Sequence, residues 1–381
     1  MEIKPKIRGF ICTTASKEGC TENVKNQVEY VKKQPAIEGG PKKVLVIGSS
    51  MGYGLSSRIA AAFGMGAQTI GVIYDKPELG NKTATAGWYN NEAFEAEAKE
   101  AGIYAKTVNG DAFSIDTKEL VIDLIKKDWG KCDCVIYSLA SPRRTTDDGI
   151  TYSSVLKTIG SEYTNKSLDL SKAYSDGVVN VTKVTVEPAT EKEIHDTVKV
   201  MGGEDWQDWI ELLVKEDAIE PQAVTIAYSY IGQELTHPLY KDGTIGKAKE
   251  HLVAVSKSLE NKYDALSAFV SVNKALVTQS SSAIPVVPLY ISALYKVMKE
   301  KGIHEGTIEQ MYRMFAKKIF GEIIDTDENG LIRMDDLELR PDVQGEVAAI
   351  WEMVNSDNVR ELCDVEGYMS DFLNIFGFDL I

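Results

Sequence analysis

From Lys43 to Tyr137 the chain alternates short apolar runs with stretches of helical period. Val44-Leu45-Val46-Ile47 is continuously apolar and ends in a glycine cluster, the pattern of a strand buried on both faces. A helical segment follows through Arg58, Ile59, Ala60, Ala61, Ala62 and Phe63, stopped by Gly64 and Gly66. Thr69 to Tyr74 predicts a second strand, Trp88 to Gly102 a helix, and Tyr104 to Val108 a third strand. Thr117 to Trp129 predicts another helix, and Cys134 to Tyr137 a fourth strand. Such β-α alternation requires crossover connections and hence a parallel sheet, an α/β fold. From Arg143 to Pro221 the pattern breaks into polar turns, then helices around Glu191 to Val200 and Trp206 to Lys215. The sheet resumes at Val224 to Tyr228 and again at Phe269 to Val272, and the tail from Glu305 reads as mostly helical. The expected organisation is one large domain over 1–381. Its nucleotide-binding core covers about 40–142 and 222–304, its helical substrate-side insertion 143–221, and its helical C-terminal region 305–381.

The composition narrows the function classes. With 44% hydrophobic residues, the 381-residue chain has enough apolar material for a full core. A net charge of −15 with no basic stripe argues against nucleic acid as a partner. Ala283 to Leu294, the longest apolar run, is too short to span a bilayer and holds Pro285 and Pro288, so no membrane partner is expected. The start lacks an apolar signal region, and Cys12, Cys20, Cys132, Cys134 and Cys363 are odd in number. Together these predict a cytoplasmic protein with reduced thiols.

Three strand ends carry candidate chemistry. The first runs into Gly48-Ser49-Ser50-Met51-Gly52-Tyr53-Gly54, a G-x3-G-x-G loop opening a helix. Its glycines permit a tight turn and let amide N–H groups approach a pyrophosphate. After the second strand, Tyr74 and Asp75 stand where a ribose is read; a carboxylate there accepts from ribose hydroxyls and repels a 2′-phosphate. That favours NADH over NADPH, with Lys76 the one nearby cation. Asp111-Ala112 follows the third strand, a place to meet adenine, and Leu139-Ala140 follows the fourth, where low bulk lets a ribose pass. Each of these pairs is also compatible with an ordinary strand exit.

Beyond the fifth strand come Tyr230, then Tyr240, then a helix from about Ile245 to Asn261 for which Thr244 is a suitable N-cap. Ile245, Ala248, Leu252, Val255 and Leu259 form one apolar stripe. Lys249 lies beside that stripe and Lys247 opposite it, so only Lys249 needs a reason for its position: aliphatic packing with a snorkelling ammonium, or a cofactor ribose beside a catalytic tyrosine.

With Tyr240 and Lys249 in Tyr-x8-Lys spacing, the chain resembles the trans-2-enoyl-CoA reductases and the related enoyl-[acyl-carrier-protein] reductases. The resemblance runs from Arg8-Gly9-Phe10-Ile11-Cys12-Thr13-Thr14-Ala15 through the glycine loop, Ser138 to Arg144 and Val277 to Ser281, into the acidic tail. It departs at Ser16-Lys17-Glu18, where members often carry His-Pro. The resemblance implies a doubly wound, Rossmann-type parallel sheet of the short-chain dehydrogenase kind. It also implies NADH as cofactor and hydride transfer to the β-carbon of an enoyl thioester, in fatty acid or butyrate-type metabolism. Tyr240 would then donate to the enolate oxygen and supply the proton, while Lys249 would hold the nicotinamide ribose and keep Tyr240 in place. Tyr230 would contact substrate, and Leu276, Val277 and Thr278 would line the nicotinamide end. Coenzyme A is favoured over an acidic carrier protein by the chain's own negative charge, and a monomer is expected.

Other features point elsewhere. Asp325-Thr326-Asp327-Glu328-Asn329-Gly330 begins like a calcium loop, but position nine is Arg333 and position twelve Asp336 rather than Glu, so a structural acidic turn is expected and no metal. His195, His237, His251 and His304 sit at no metal spacing; His237 is near enough to Tyr240 to tune it, but reads as a loop histidine. Trp206 and Trp209 read as a packing pair, with an acyl-pocket wall the alternative, and Arg143 with Arg144 as solvated arginines or a phosphate contact. A short-chain ketoreductase would need a lysine four residues after a tyrosine, which neither Tyr230 nor Tyr240 has. A cofactor-sensing regulator without turnover would ordinarily lack the tyrosine or the lysine, and both are present.

Overall fold

The computed structural model describes residues 3–8 and 11–378; Gly9 and Phe10 of the N-terminal motif lie outside them. Seven parallel strands form the central sheet: β1 (Lys43–Ile47), β2 (Gln68–Ile73), β3 (Ala105–Asn109), β4 (Cys132–Tyr137), β5 (Ile219–Ser229), β6 (Ser267–Val272) and β7 (Leu331–Arg333). Their order is β7-β6-β5-β4-β1-β2-β3, so the winding reverses between β1 and β4. Successive strand residues point to opposite faces. Leu45 and Ile47 therefore join one apolar layer while Val44 and Val46 join the other.

Helices cover both faces. One layer holds α1 (Lys17–Lys32), α2 (Gly52–Met65), α3 (Ala86–Glu100) and, later in the chain, the segment Thr307–Arg313. The opposite layer holds α4 (Ile115–Asp128), α5 (Glu204–Lys215) and α6 (Thr244–Lys262). This is the parallel sheet expected from the alternation, doubly wound as the resemblance implies. Helix α1 starts at the segment that departs from the family pattern: the Ser16 side chain accepts from the Gly19 amide and caps the first turn.

The region 143–221 differs from the expected helical insertion. It opens with an antiparallel hairpin of Arg143–Thr145 and Thr151–Ser153, followed by a longer one of Tyr163–Lys172 and Val178–Val186. Thr, Asn, Lys and Ser fill most outward positions of the long hairpin, and only Leu168, Val179 and Val186 are buried, so its alternation is faint in the sequence. Helix α5 is a crossover helix of the sheet itself. Trp206 and Trp209 are fully buried in that layer, their indole N–H groups donating to Thr225 Oγ1 at 2.8 Å and to the Ala112 carbonyl at 3.1 Å. They are a packing pair and line no acyl pocket.

A third apolar layer caps the carboxyl ends of the strands. Its centre is α7 (Val287–Glu300), whose Tyr290, Ile291, Leu294, Tyr295 and Met298 have no exposed surface. A helix apolar on nearly every side must be enclosed, which explains the run from Ala283 to Leu294. Pro288 sits in its first turn, where a missing amide proton costs little. The tail is not purely helical: β7 completes the sheet, and α8 (Pro341–Met353) and α9 (Val365–Asn374) then pack against α7. The calcium-like segment is the turn into β7. The Asp327 carboxylate accepts from the amides of Asn329 and Leu331 and pairs with Arg333, and Asp325 pairs with Lys318. Those carboxylates are thus engaged by the turn and its neighbours. Among the described residues, no helix is long and apolar enough to cross a membrane.

Candidate active site

Where strand order reverses in such a sheet, a crevice opens at the carboxyl ends of the strands. The glycine loop lies there. Gly48 has φ 88°, and a Cβ on it would meet the Ser138 carbonyl oxygen at 2.3 Å. A Cβ on Gly54 would meet the Gly48 carbonyl oxygen at 2.0 Å. Both positions need glycine for the loop to close. No side chain caps the start of α2, so its first amides are left for an anion. Ser49 and Ser50 are held from below by Asn91 and Asn90, whose amides donate to their carbonyl oxygens. Across the loop Gly52 faces Thr278: a Cβ on Gly52 would sit 4.0 Å from Thr278 Cγ2. The structure therefore brings the loop and the expected nicotinamide end together.

Sequence reasoning passed over Arg58, which supports this loop. It is wholly buried, and every acceptor it reaches is neutral: Thr69 Oγ1, Asn91 Oδ1, Thr107 Oγ1 and the Lys106 carbonyl. Burial lowers its pKa to about 10, so it stays cationic at neutral pH. A positive charge with no carboxylate partner among the described residues, beneath this glycine loop, favours an anion above it. The signal was an arginine inside an otherwise apolar helical run.

The other residues expected at a cofactor lie around the crevice. Tyr74 is 78% exposed at the end of β2. Asp75 is fixed by Asn109, which brackets its backbone, and by Thr85, whose hydroxyl donates to Oδ1 at 2.7 Å. Its Oδ2 is buried against Gly87 at the start of α3, with no hydrogen-bond partner among the described residues. Ala112 is buried with its carbonyl turned inward to Trp209 and Lys118, and the Asp111 carboxylate accepts from the Phe113 amide. Leu139 is half-buried and Ala140 exposed at the end of β4. Leu276 and Val277 are buried, with the Val277 amide donating to Tyr295 Oη. Tyr53 ties α2 to the β6 exit by donating to the Lys274 carbonyl at 2.6 Å. These residues fit a dinucleotide laid across the strand ends.

Tyr230 and Tyr240 meet edge to face, ring centroids 4.6 Å apart. Tyr240 is buried, and its hydroxyl pKa is pushed up by burial and by the charges of Glu338 and Tyr368. Its hydroxyl has no hydrogen-bond partner among the described residues, whereas Tyr230 Oη donates to Glu338 Oε1 at 3.2 Å. Helix α6 carries both lysines as its period requires. Lys247 is exposed and paired with Glu250. Lys249 is half-buried, donates to the Tyr228 carbonyl at 3.1 Å, and has its pKa lowered by burial to about 8.

Several minor expectations change. The cap of α6 is Gly243; Thr244 instead donates to the Val155 carbonyl and accepts from the Lys157 amide, tying the helix to the preceding region. His237 braces its loop through the Gly232 carbonyl, as a loop histidine, and His251 accepts from the Gly203 amide. Arg144 is buried and paired with Glu204 and Asp208, which makes it structural rather than a phosphate contact. Glu338, a wholly buried carboxylate from the tail, carries no signal in the sequence that distinguishes it from its acidic neighbours.

A parallel dinucleotide fold with a tyrosine and a lysine at its open edge defines a pyridine-nucleotide oxidoreductase. Residues 82–320 match the family model described as the trans-2-enoyl-CoA reductase catalytic region, and residues 2–80 the NAD(P)H binding domain of trans-2-enoyl-CoA reductase. The chain belongs to the trans-2-enoyl-CoA reductase family. It is 54% identical to a trans-2-enoyl-CoA reductase [NADH] of Ruminiclostridium cellulolyticum, covering 100% of this chain and 95% of that one. It is 55% identical to an enoyl-[acyl-carrier-protein] reductase [NADH] of Cytophaga hutchinsonii, covering 99% and 95%. The crystal structure of Treponema denticola trans-2-enoyl-CoA reductase in complex with NAD superposes with a TM-score of 0.95 at 49% identity, covering 100% of this chain and 96% of that one. Residues 326–381 match a model described as an enoyl reductase FAD binding domain. They do not fit a flavin nucleotide: Val343, Val347, Trp351, Tyr368 and Phe372 are buried in the layer around α7, and no strand–glycine loop–helix unit occurs among the described residues of the segment.

Proposed function

We propose that Tyr240 and Lys249 are the reacting pair of this enzyme, with Tyr230 beside the substrate. The protein is an NADH-dependent oxidoreductase that reduces the C2–C3 double bond of a trans-2-enoyl thioester of the acyl-CoA type. NADH, when bound, would supply the hydride, and its addition at the β-carbon of the enoyl thioester would leave negative charge on the thioester oxygen. A donor aimed at that oxygen lowers the barrier. Tyr240 is suited to this role because its hydroxyl is unengaged among the described residues, while Tyr230's is committed to Glu338. That contrast carries the assignment. The high pKa of Tyr240 keeps the proton in place until the enolate demands it. Lys249, cationic below about pH 8, would hold the nicotinamide ribose, and Asp75 the adenosine ribose. The glycine loop from Gly48 to Tyr53 would take the pyrophosphate, with Asp111, Ala112, Leu139 and Ala140 along the adenosine half and Leu276 to Thr278 at the nicotinamide.

NADH oxidation followed by absorbance with crotonyl-CoA tests the activity, and no turnover above background would refute it. An acyl carrier protein substrate is the second reading, favoured by the Cytophaga hutchinsonii relative. Parallel kinetics with crotonyl-CoA and crotonyl-acyl carrier protein separate the two carriers, and the net charge of −15 favours coenzyme A. A cytoplasmic location goes with this reading, since all five cysteines are unpaired and buried.

A further inference from the structure

The carboxylate of Glu338 sits below the two tyrosines and belongs to none of the elements that build the cofactor crevice. It follows β7, in the segment leading to α8, and has no exposed surface. Three donors converge on it. Tyr290 of α7 donates to Oε1 at 2.6 Å, Tyr230 to the same oxygen at 3.2 Å, and the Ala275 amide to Oε2 at 2.7 Å. Gln344 of α8 donates to its backbone carbonyl at 2.7 Å, fixing the chain that carries it. Lys274, Asp335, Tyr240 and Tyr53 are also titratable groups around it. The acceptor therefore joins three parts of the chain: the loop after β5 that carries Tyr230, the exit of β6 just before Leu276 to Thr278, and α7.

A carboxylate in such a place is costly to desolvate and is retained only with its donors in position. Here two of those donors belong to the reaction centre or directly precede it. A tyrosine that donates its one proton to a carboxylate cannot donate it to an enolate as well. We propose that Glu338 is a positioning residue for the reaction: it takes the Tyr230 proton and anchors the Ala275 amide. Tyr230 is thereby fixed as a wall for the substrate, Tyr240 is left, of the two tyrosines, with its hydroxyl free to donate, and the loop at Leu276 is held at its distance from the glycine loop. This rests on the assignment of Tyr240 and Tyr230 above. It gives the C-terminal segment a direct part in the site.

The test is a double-mutant cycle on the full-length enzyme with NADH and crotonyl-CoA. Glu338→Gln keeps the volume but places an amide against the Ala275 N–H or the two hydroxyls. It should lower kcat by about tenfold or more while leaving the NADH Kd within about twofold. Tyr230→Phe should lower kcat similarly. The combined loss should fall short of the product of the two, because both variants break the shared Tyr230–Glu338 hydrogen bond, whereas independent effects would add in free energy. Multiplicative losses, or a Glu338→Gln enzyme with wild-type kcat, would overturn the proposal. Glu338→Asp retains the charge and withdraws it by one methylene, and should show the same loss of kcat at constant NADH affinity. Should both Glu338 variants fail to fold, Tyr230→Phe alone still decides, since wild-type turnover there means Glu338 has nothing to position. Wild-type enzyme inactive on crotonyl-CoA would refute the activity instead. A fully active Tyr240→Phe would refute the assignment of the proton donor on which the proposal rests.

Discussion

At the scale of single residues, the tyrosine pair shows how surroundings divide equivalent side chains. Tyr230 and Tyr240 touch, yet only one hydroxyl is engaged by protein. Removing the Tyr240 hydroxyl as Tyr240→Phe keeps the ring packed and should cost about 3–4 kcal/mol of transition-state stabilisation, on the order of a hundred- to thousandfold in kcat. NADH affinity should be nearly unchanged, and a rate near wild type would exclude Tyr240 as donor. Lys249 gives a pH signature. Its pKa falls from 10.5 to about 8, so its charge is present below about pH 8 and lost above it. NADH affinity, measured by titration across pH 7 to 10, should weaken on the alkaline side of that value, and Lys249→Met should flatten the profile. The stability sign is opposite. Between about 8 and 10.5 the unfolded chain binds more protons at this residue, so wild type should gain stability with rising pH relative to Lys249→Met. Asp75→Ser should narrow the preference for NADH over NADPH in steady-state kinetics; an unchanged ratio would show that another group reads the ribose.

Elements were legible where their period was strong. The strands β1 to β6, helix α2 and the lysine-bearing α6 follow from runs and stripes that local physics imposes, and their ends shifted by only a few residues. The hairpins of 143–186 did not stand out, because most of their side chains are polar and their few inward residues reach the core from a solvated ribbon. The seventh strand is three residues long and gains its identity from pairing with β6, more than 55 positions earlier, which no local window contains. Helix α5 was visible as a helix but misplaced as part of an insertion, since only the sheet beneath it makes its tryptophans core residues. Trp206→Ala should therefore cost about 3–5 kcal/mol of stability, read by denaturant unfolding, with no change in acyl-length preference among soluble molecules. A shifted acyl profile with little loss of stability would restore the pocket-wall reading. Calcium titrated into chelator-treated protein should produce no heat and no shift in Tm, because the Asp327 carboxylate already serves two amides and Arg333; saturable binding at micromolar metal would contradict this.

At the scale of the whole molecule, the tail closes both the sheet and the third apolar layer. A chain ending after Met334 would uncover Tyr290, Leu294 and Met298 on α7 and remove Glu338. It should aggregate on expression and fail to bind NADH, which sedimentation and fluorescence titration would check. The sequence by itself determined the alternating core, the glycine loop after its first strand, the carboxylate after its second, and the tyrosine and lysine spaced for one family. Each of these is set by local backbone geometry or by a periodicity within a single element. Only the tertiary structure decided which of the two tyrosine hydroxyls is engaged, that Arg58 lies beneath the glycine loop bonded to neutral acceptors, and that Glu338 reaches Tyr230 from the C-terminal segment. Those outcomes depend on desolvation and on hydrogen-bond partners brought from distant positions, and a buried charge takes its meaning from the neighbours that folding places around it.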